Sequence, residues 1–206
     1  MEIAERQEAL ERIHRAVQQC TRCPLHLGRT NAVPGAGPVT AEIMFIGEAP
    51  GFHEDQQGIP FVGAAGKLLD QMLEKANISR EQIYITNVIK CRPPGNRDPK
   101  PDEVEACRPY LQQQIEIIDP KIIVTLGRYS MARAFPNEKI SRIHGQPRRI
   151  EGRIYFPMYH PAAALHQPSL RPVVAEDFLK LRAVLDGEID VPDYDAPPDA
   201  EQLSLF

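Results

Sequence analysis

Three polar residues stand where apolar runs stop, and these, with one aromatic and four cysteines, are the side chains that could do chemistry. Glu48 follows Ile43-Met44-Phe45-Ile46-Gly47, Asn87 lies at the end of the run from Ile83, and His160 follows the run Arg153–Met158. A carboxylate can position a water, and a planar amide such as Asn87 can both donate to and accept from the edge of a pyrimidine. An imidazole N–H can stabilise developing negative charge as oxyanion-hole donors do. Phe61, on the loop after the first run, offers a plate for a base, a contact worth ~1–3 kcal/mol. Each has a plainer reading alone: a turn residue, a structural histidine, a core phenylalanine. Their joint placement is what makes a site.

The cysteines are Cys20, Cys23, Cys91 and Cys107. A C-x2-C pair with two further cysteines is a four-thiolate set suited to tetrahedral zinc or to a [4Fe–4S] cluster. Cys91 and Cys107 do not form a second C-x2-C knuckle, which weakens a zinc ribbon, but spacing alone leaves both metals open. Disulfides are not expected, because the N-terminus MEIAERQEALERIHRAV is charged and amphipathic and lacks the apolar core of a secretory signal. No apolar run approaches the ~20 residues of a membrane span. A cytoplasmic protein is expected.

The elements that must carry these groups alternate. An amphipathic helix near 2–19 delivers Cys20 and Cys23. Strands are expected at Ile43–Ile46, Ile83–Val88, Lys121–Leu126 and Arg153–Met158, with helices following the loops at Gly63–Gly66, Asp102 and Gly127 and a closing helix through Val174, Phe178, Leu181 and Leu185. Asp102 with Glu105 has the spacing of a capping box for the helix that carries Cys107. The pattern predicts an α/β fold of three layers, α/β/α, around a four-stranded parallel sheet. In such sheets the ligand sits at the carboxyl ends of the strands, where Glu48, Asn87 and His160 fall.

Net charge is −4, but seven acids and no Lys or Arg follow from Asp186 onward; without them 24 basic face 21 acidic residues. That body charge is compatible with nucleic acid. The stretch 186–201 is acidic, proline-containing and without periodicity, and reads as a disordered linker after a domain of residues 1–185.

Four segments together, GEAPG (47–51) with Glu54, GIPFVGAAG (58–66), TNVIKCRPPGNR (86–97) and HPAAAL (160–165), closely resemble the motifs of the iron–sulfur, family 4 uracil-DNA glycosylases. The likeness runs from about Cys20 to Leu185. It implies the glycosylase fold, base excision repair of uracil-containing DNA, and one [4Fe–4S] cluster on the four cysteines. It implies that Glu48 positions the hydrolytic water, Phe61 stacks on the flipped uracil, Asn87 reads its edge, and His160 bonds the carbonyl that gains charge. Glu54 would crowd the C5 side against thymine, and backbone of Gly47 and Ala49 would line the pocket. Arg92, Arg97 and Lys100 would meet DNA phosphates, and Leu165 with His166 would enter the minor groove; many relatives carry Arg where this chain has His166. The final QLSLF resembles the pentapeptide that bacterial repair proteins insert into the polymerase sliding clamp, with Gln202, Leu203, Leu205 and Phe206 as contacts.

Two other readings are carried. The covalent-trapping relative has a KRRIH-like loop where this chain has GNRDPKP, and the histidine is absent there. A non-enzymatic iron–sulfur or zinc module would leave Glu48, Asn87 and His160 incidental. A monomer is expected.

Overall fold

The computed structural model describes residues 1–195. Helix α1 (Ile3–Gln18) leads through a short 3-10 turn at Pro24–Leu27 to β1 (Ile43–Gly47), α2 (Phe52–Gln57), α3 (Ala64–Lys75) and β2 (Ile83–Asn87). There follow α4 (Pro101–Ile118), β3 (Ile122–Leu126), α5 (Arg128–Ala134), α6 (Ile140–Ile143), β4 (Arg148–Ile150), β5 (Arg153–Met158), α7 (Pro161–His166) and α8 (Arg171–Leu185).

The sheet order is β2-β1-β3-β5-β4. The four expected strands are present and parallel. All five residues of β1, β2 and β3 are buried, as strands covered on both faces must be. The fifth strand, β4, is a correction to the expected count: it pairs antiparallel with β5. Its three residues, Arg-Arg-Ile, carry no apolar alternation. The connecting Glu151-Gly152 turn has positive φ at both positions (49° and 82°), the geometry of a tight hairpin without the usual Asn-Gly or Asp-Gly.

Two cores flank the sheet. One packs α1, α4 and α5 against Met44, Ile46, Tyr84 and Ile123. The other packs α3, α7 and α8 against Phe45, Ile85, Val124 and Phe156. Helix α8 presents Val174, Phe178, Leu181 and Val184 at helical spacing, all buried. The three-layer expectation holds.

Helix α4 starts differently from its sequence pattern. Its N-cap is Lys100 with Pro101 in the first turn, and the Glu103 carboxylate accepts the Lys100 backbone N–H at 2.8 Å. Glu105 instead pairs with Arg108. Proline is favoured in a first helical turn, where its missing N–H costs nothing, and that moved the start two residues upstream.

The first ten residues of the expected linker are part of the fold. Val191 is buried, Tyr194 packs edge-on against Phe135 with centroids 5.0 Å apart, and the segment exchanges backbone hydrogen bonds with Arg149. Two apolar anchors and a strand edge outweighed the acidic composition. The remainder of the linker and the QLSLF peptide lie outside the described residues. No helix among the described residues is long and apolar enough to cross a membrane.

Candidate active site

Parallel strands bring their carboxyl ends to one rim. Gly47 stands directly opposite Asn87 in the β1–β2 register, and β5 ends level with β3, two residues before His160. Strand order reverses at β1, so a crevice opens there. A cleft of about 400 Å³ lies at this rim, lined in part by Ala49, Glu54, Phe61, Asn87 and His160.

Asn87 is 1% exposed, and its Oδ1 has no hydrogen-bond partner among the described residues. A buried carbonyl oxygen left open is costly and is the mark of a group waiting for a donor. Gly47 leaves room for it: a Cβ there would fall 2.4 Å from Asn87 Oδ1 and 2.8 Å from Phe61 Cζ.

Phe61 is buried and has a left-handed backbone (φ 53°), rare for a residue with a large side chain. Three neighbours hold it there. Arg80 donates to the Pro60 and Phe61 carbonyls at 2.8 and 3.0 Å. Gly66 lets the first turn of α3 press on the Phe61 carbonyl, which any Cβ would meet at 1.9 Å. Glu54 Oε1 accepts from the Val62 and Gly63 backbone N–H groups at 2.9 Å each, fixing the loop just after Phe61 and capping α3.

His160 is the N-cap of α7, and its Nδ1 accepts the Ala162 backbone N–H at 3.1 Å. In the neutral ring that leaves the proton on Nε2, making it a donor. Burial in the rim pushes the imidazole down from 6.5 to about 4, with a small upward pull from Glu54. The ring is therefore neutral at physiological pH.

Glu48 is half-buried beside the cleft and is not part of its wall. Desolvation raises its pKa, Asp98 adds to the rise, and Arg128 opposes it. Gly47 backs the cleft through the space it leaves rather than as a lining residue.

The four cysteines, distant in sequence, line one pocket between α1, the segment after β2, and α4, together with Arg29, Lys90 and Tyr110. No three His, Cys, Asp or Glu side chains among the described residues close on a point as the ligands of a single ion do. The four thiols face one pocket, a donor set suited to zinc or to a [4Fe–4S] cluster. Burial pushes the Cys107 thiol up to about 11, and Arg29 donates to Cys91 Sγ at 3.1 Å. A cationic donor of this kind favours sulfur in its thiolate form.

The expected DNA contacts fall into two groups. Lys100 and His166 are exposed. Arg92 stacks over Phe52 at 5.1 Å and donates to Asn96 Oδ1, while Arg97 forms a two-pronged pair with buried Glu103 at 2.9 and 2.6 Å. Leu165 is half-buried against the α3–α8 core. Sequence reading passed over Phe52, His53 and Asn96, which also line the cleft. Phe52 carried a hint, as an exposed aromatic within an otherwise polar helix.

A model of the uracil DNA glycosylase superfamily matches residues 34–182. Type-4 uracil-DNA glycosylases resemble the chain over most of their length. That of Sulfurisphaera tokodaii is 52% identical over 85% of this chain and 84% of its own. The Archaeoglobus fulgidus protein is 49% identical over 84% and 92%, and that of Thermotoga maritima 44% over 89% and 98%. With its strand ends, open amide and aromatic plate gathered at one cleft, the chain belongs to the uracil DNA glycosylase superfamily.

Proposed function

We propose that the protein hydrolyses the N-glycosidic bond of uracil in DNA, releasing free uracil and leaving an abasic site for repair. The observation that carries this is the unpartnered Asn87 Oδ1, buried in a cleft beside Phe61 and a neutral His160. Uracil offers an N3–H to that oxygen and a carbonyl to an imidazole donor. Cytosine, protonated differently at the same edge, presents an acceptor where Asn87 needs a donor.

The bond from C1′ to N1 breaks with its electron pair leaving on uracil, and the sugar becomes cationic. His160 Nε2–H meets the carbonyl that gains charge, and Phe61 holds the ring plane. Glu48 orients a water, whose oxygen bonds C1′ while its proton passes toward the carboxylate. Glu54 carries the loop that positions Phe61 and would crowd the C5 side against a methyl. The base reaches the cleft by leaving the stack, which costs a few kcal/mol that backbone contacts must offset. Lys100 and Arg92 are suited to phosphates, and Leu165 and His166 to the gap the base leaves.

Cys20, Cys23, Cys91 and Cys107 would hold one [4Fe–4S] cluster. When bound it would supply a staple between the N-terminal segment and the Cys91–Cys107 segment. Gln202, Leu203, Leu205 and Phe206 suit a polymerase sliding clamp as partner, with Gln202 giving amide hydrogen bonds and the rest filling an apolar pocket.

Excision by purified protein on U:G, U:A, T:G and single-stranded uracil substrates tests the reading. Free uracil with an intact abasic strand is expected. Absence of uracil release, or strand nicking without added lyase, would refute it. Clamp binding is tested by titrating the clamp with full-length protein and with a chain ending at Glu201; equal binding would remove the tail from the account.

A further inference from the structure

Lys90 is a buried lysine with no place in that chemistry; burial lowers its pKa to about 7, and negative charge on Cys107 pulls it back up. Its ammonium makes three hydrogen bonds, to Thr86 Oγ1 at 2.5 Å, Gln114 Oε1 at 2.7 Å and the Asn87 backbone carbonyl at 2.8 Å. These use all three of its donors. Gln114 is itself anchored, donating to the Pro34 carbonyl at 2.8 Å and to Tyr84 Oη at 3.0 Å, and Tyr84 Oη lies 2.8 Å from His14 Nε2. Lys90 is 1% exposed.

All three acceptors are neutral oxygens, so no carboxylate cancels the charge. A buried charge without a counter-charge is costly. The nearest source of negative charge is sulfur: Lys90 lines the cysteine pocket, precedes Cys91 in the chain, and gives its backbone N–H to Cys107. Toward the cleft it holds the peptide of the residue that reads the base. Lys90 thus stands between the four cysteines and the open amide of Asn87.

We propose that Lys90 is a positioning and charge-screening residue for excision, a role that rests on the reading of the cleft and the cysteines given above. Four thiolates on an oxidised [4Fe–4S] core carry net negative charge. Excision places a further negative charge on uracil, in contact with Asn87. Two like charges across a dry interior repel. A fixed ammonium between them removes that opposition, and its bond to the Asn87 carbonyl keeps the amide aimed into the cleft. The lysine serves both sites at once.

The test compares Lys90→Met and Lys90→Gln with the parent protein, all measured per iron-loaded chain. The glutamine keeps two N–H donors for the surrounding oxygens and removes the charge, so it carries the comparison if the methionine variant does not fold. Single-turnover release of uracil is expected to fall on the order of tenfold or more. Release of 5-fluorouracil, whose anion is intrinsically more stable, is expected to fall less. The reduction potential of the cluster is expected to move negative, because a neighbouring cation has gone. Equal losses for the two bases, no loss, or an unchanged potential would overturn the screening role. A parent protein without iron would instead overturn the cluster reading, and the comparison of the two leaving bases would still judge Lys90.

Discussion

The rings of Phe61 and His160 lie nearly parallel, their centroids 5.5 Å apart and their planes inclined by 26°. A base inserted between two rings needs about 7 Å, twice a van der Waals contact. In the proposed reading uracil would not enter between them but would stack over a face of Phe61 that His160 leaves open, with the imidazole meeting an edge.

Gly47→Ala tests that geometry from below. Its methyl would collide with both Asn87 Oδ1 and the Phe61 ring, whereas β1 itself can accept an alanine. Excision should fall on the order of 100-fold, as when a preorganised donor or acceptor is displaced. Far-UV circular dichroism should be unchanged. Phe61→Leu should weaken inhibition by free uracil by ~1–3 kcal/mol.

The pH dependence separates the two polar groups. In its proposed role Glu48 acts ionised, and its pKa is raised above the ordinary 4.5, so excision should decline on acidification at a higher pH than a free carboxylate would give. Glu48→Gln should abolish that limb. His160, depressed from 6.5 to about 4, stays neutral across the working range and adds no limb above its own pKa. For stability the sign is that of a depressed histidine. Above 6.5 both folded and unfolded forms are neutral. Between 6.5 and about 4 the unfolded chain takes a proton that the folded chain refuses, so falling pH destabilises the fold. His160→Asn should flatten that part of a melting-temperature profile.

Glu54 should prove a stability residue as much as a specificity residue. Glu54→Ala removes the acceptor for two backbone N–H groups and should cost ~1–2 kcal/mol in chemical denaturation. Glu54→Gln keeps an acceptor oxygen and should cost less, while both raise the low rate on T:G.

Arg97 and Lys100 should separate. Arg97→Ala leaves Glu103 buried without its partner and should lower the melting temperature. Lys100→Ala should leave stability unchanged and reduce the salt slope of DNA binding by about one.

Anaerobically purified protein should be brown, with about four irons per chain. Cys91→Ala should lose colour and soluble yield. Arg29→Leu should retain the iron but bleach faster in air, because Cys91 Sγ loses its donor.

Much of this was legible from residue order. The parallel strands announced themselves as apolar runs, and Asn87 and His160 could be placed at strand ends because such runs stop abruptly. What stayed hidden depended on contacts between segments distant in sequence. Glu54 reads as a pocket acid, yet its partners are backbone N–H groups eight and nine residues away. Arg97 reads as a phosphate contact until Glu103 is found folded beneath it. The burial of Lys90 depends on Gln114, on a helix in another layer.

The segment Pro192–Tyr194 has a consequence for self-association. It lies along the outer side of β4, taking the Arg149 N–H on the Pro192 carbonyl and giving the Tyr194 N–H to the Arg149 carbonyl. An unpaired sheet edge is a template on which another chain can add a strand. Here the protein's own chain fills that position, and Tyr194 on Phe135 holds it there. A chain ending at Val191 would expose the edge, and light scattering on warming should show it aggregating before the intact protein does.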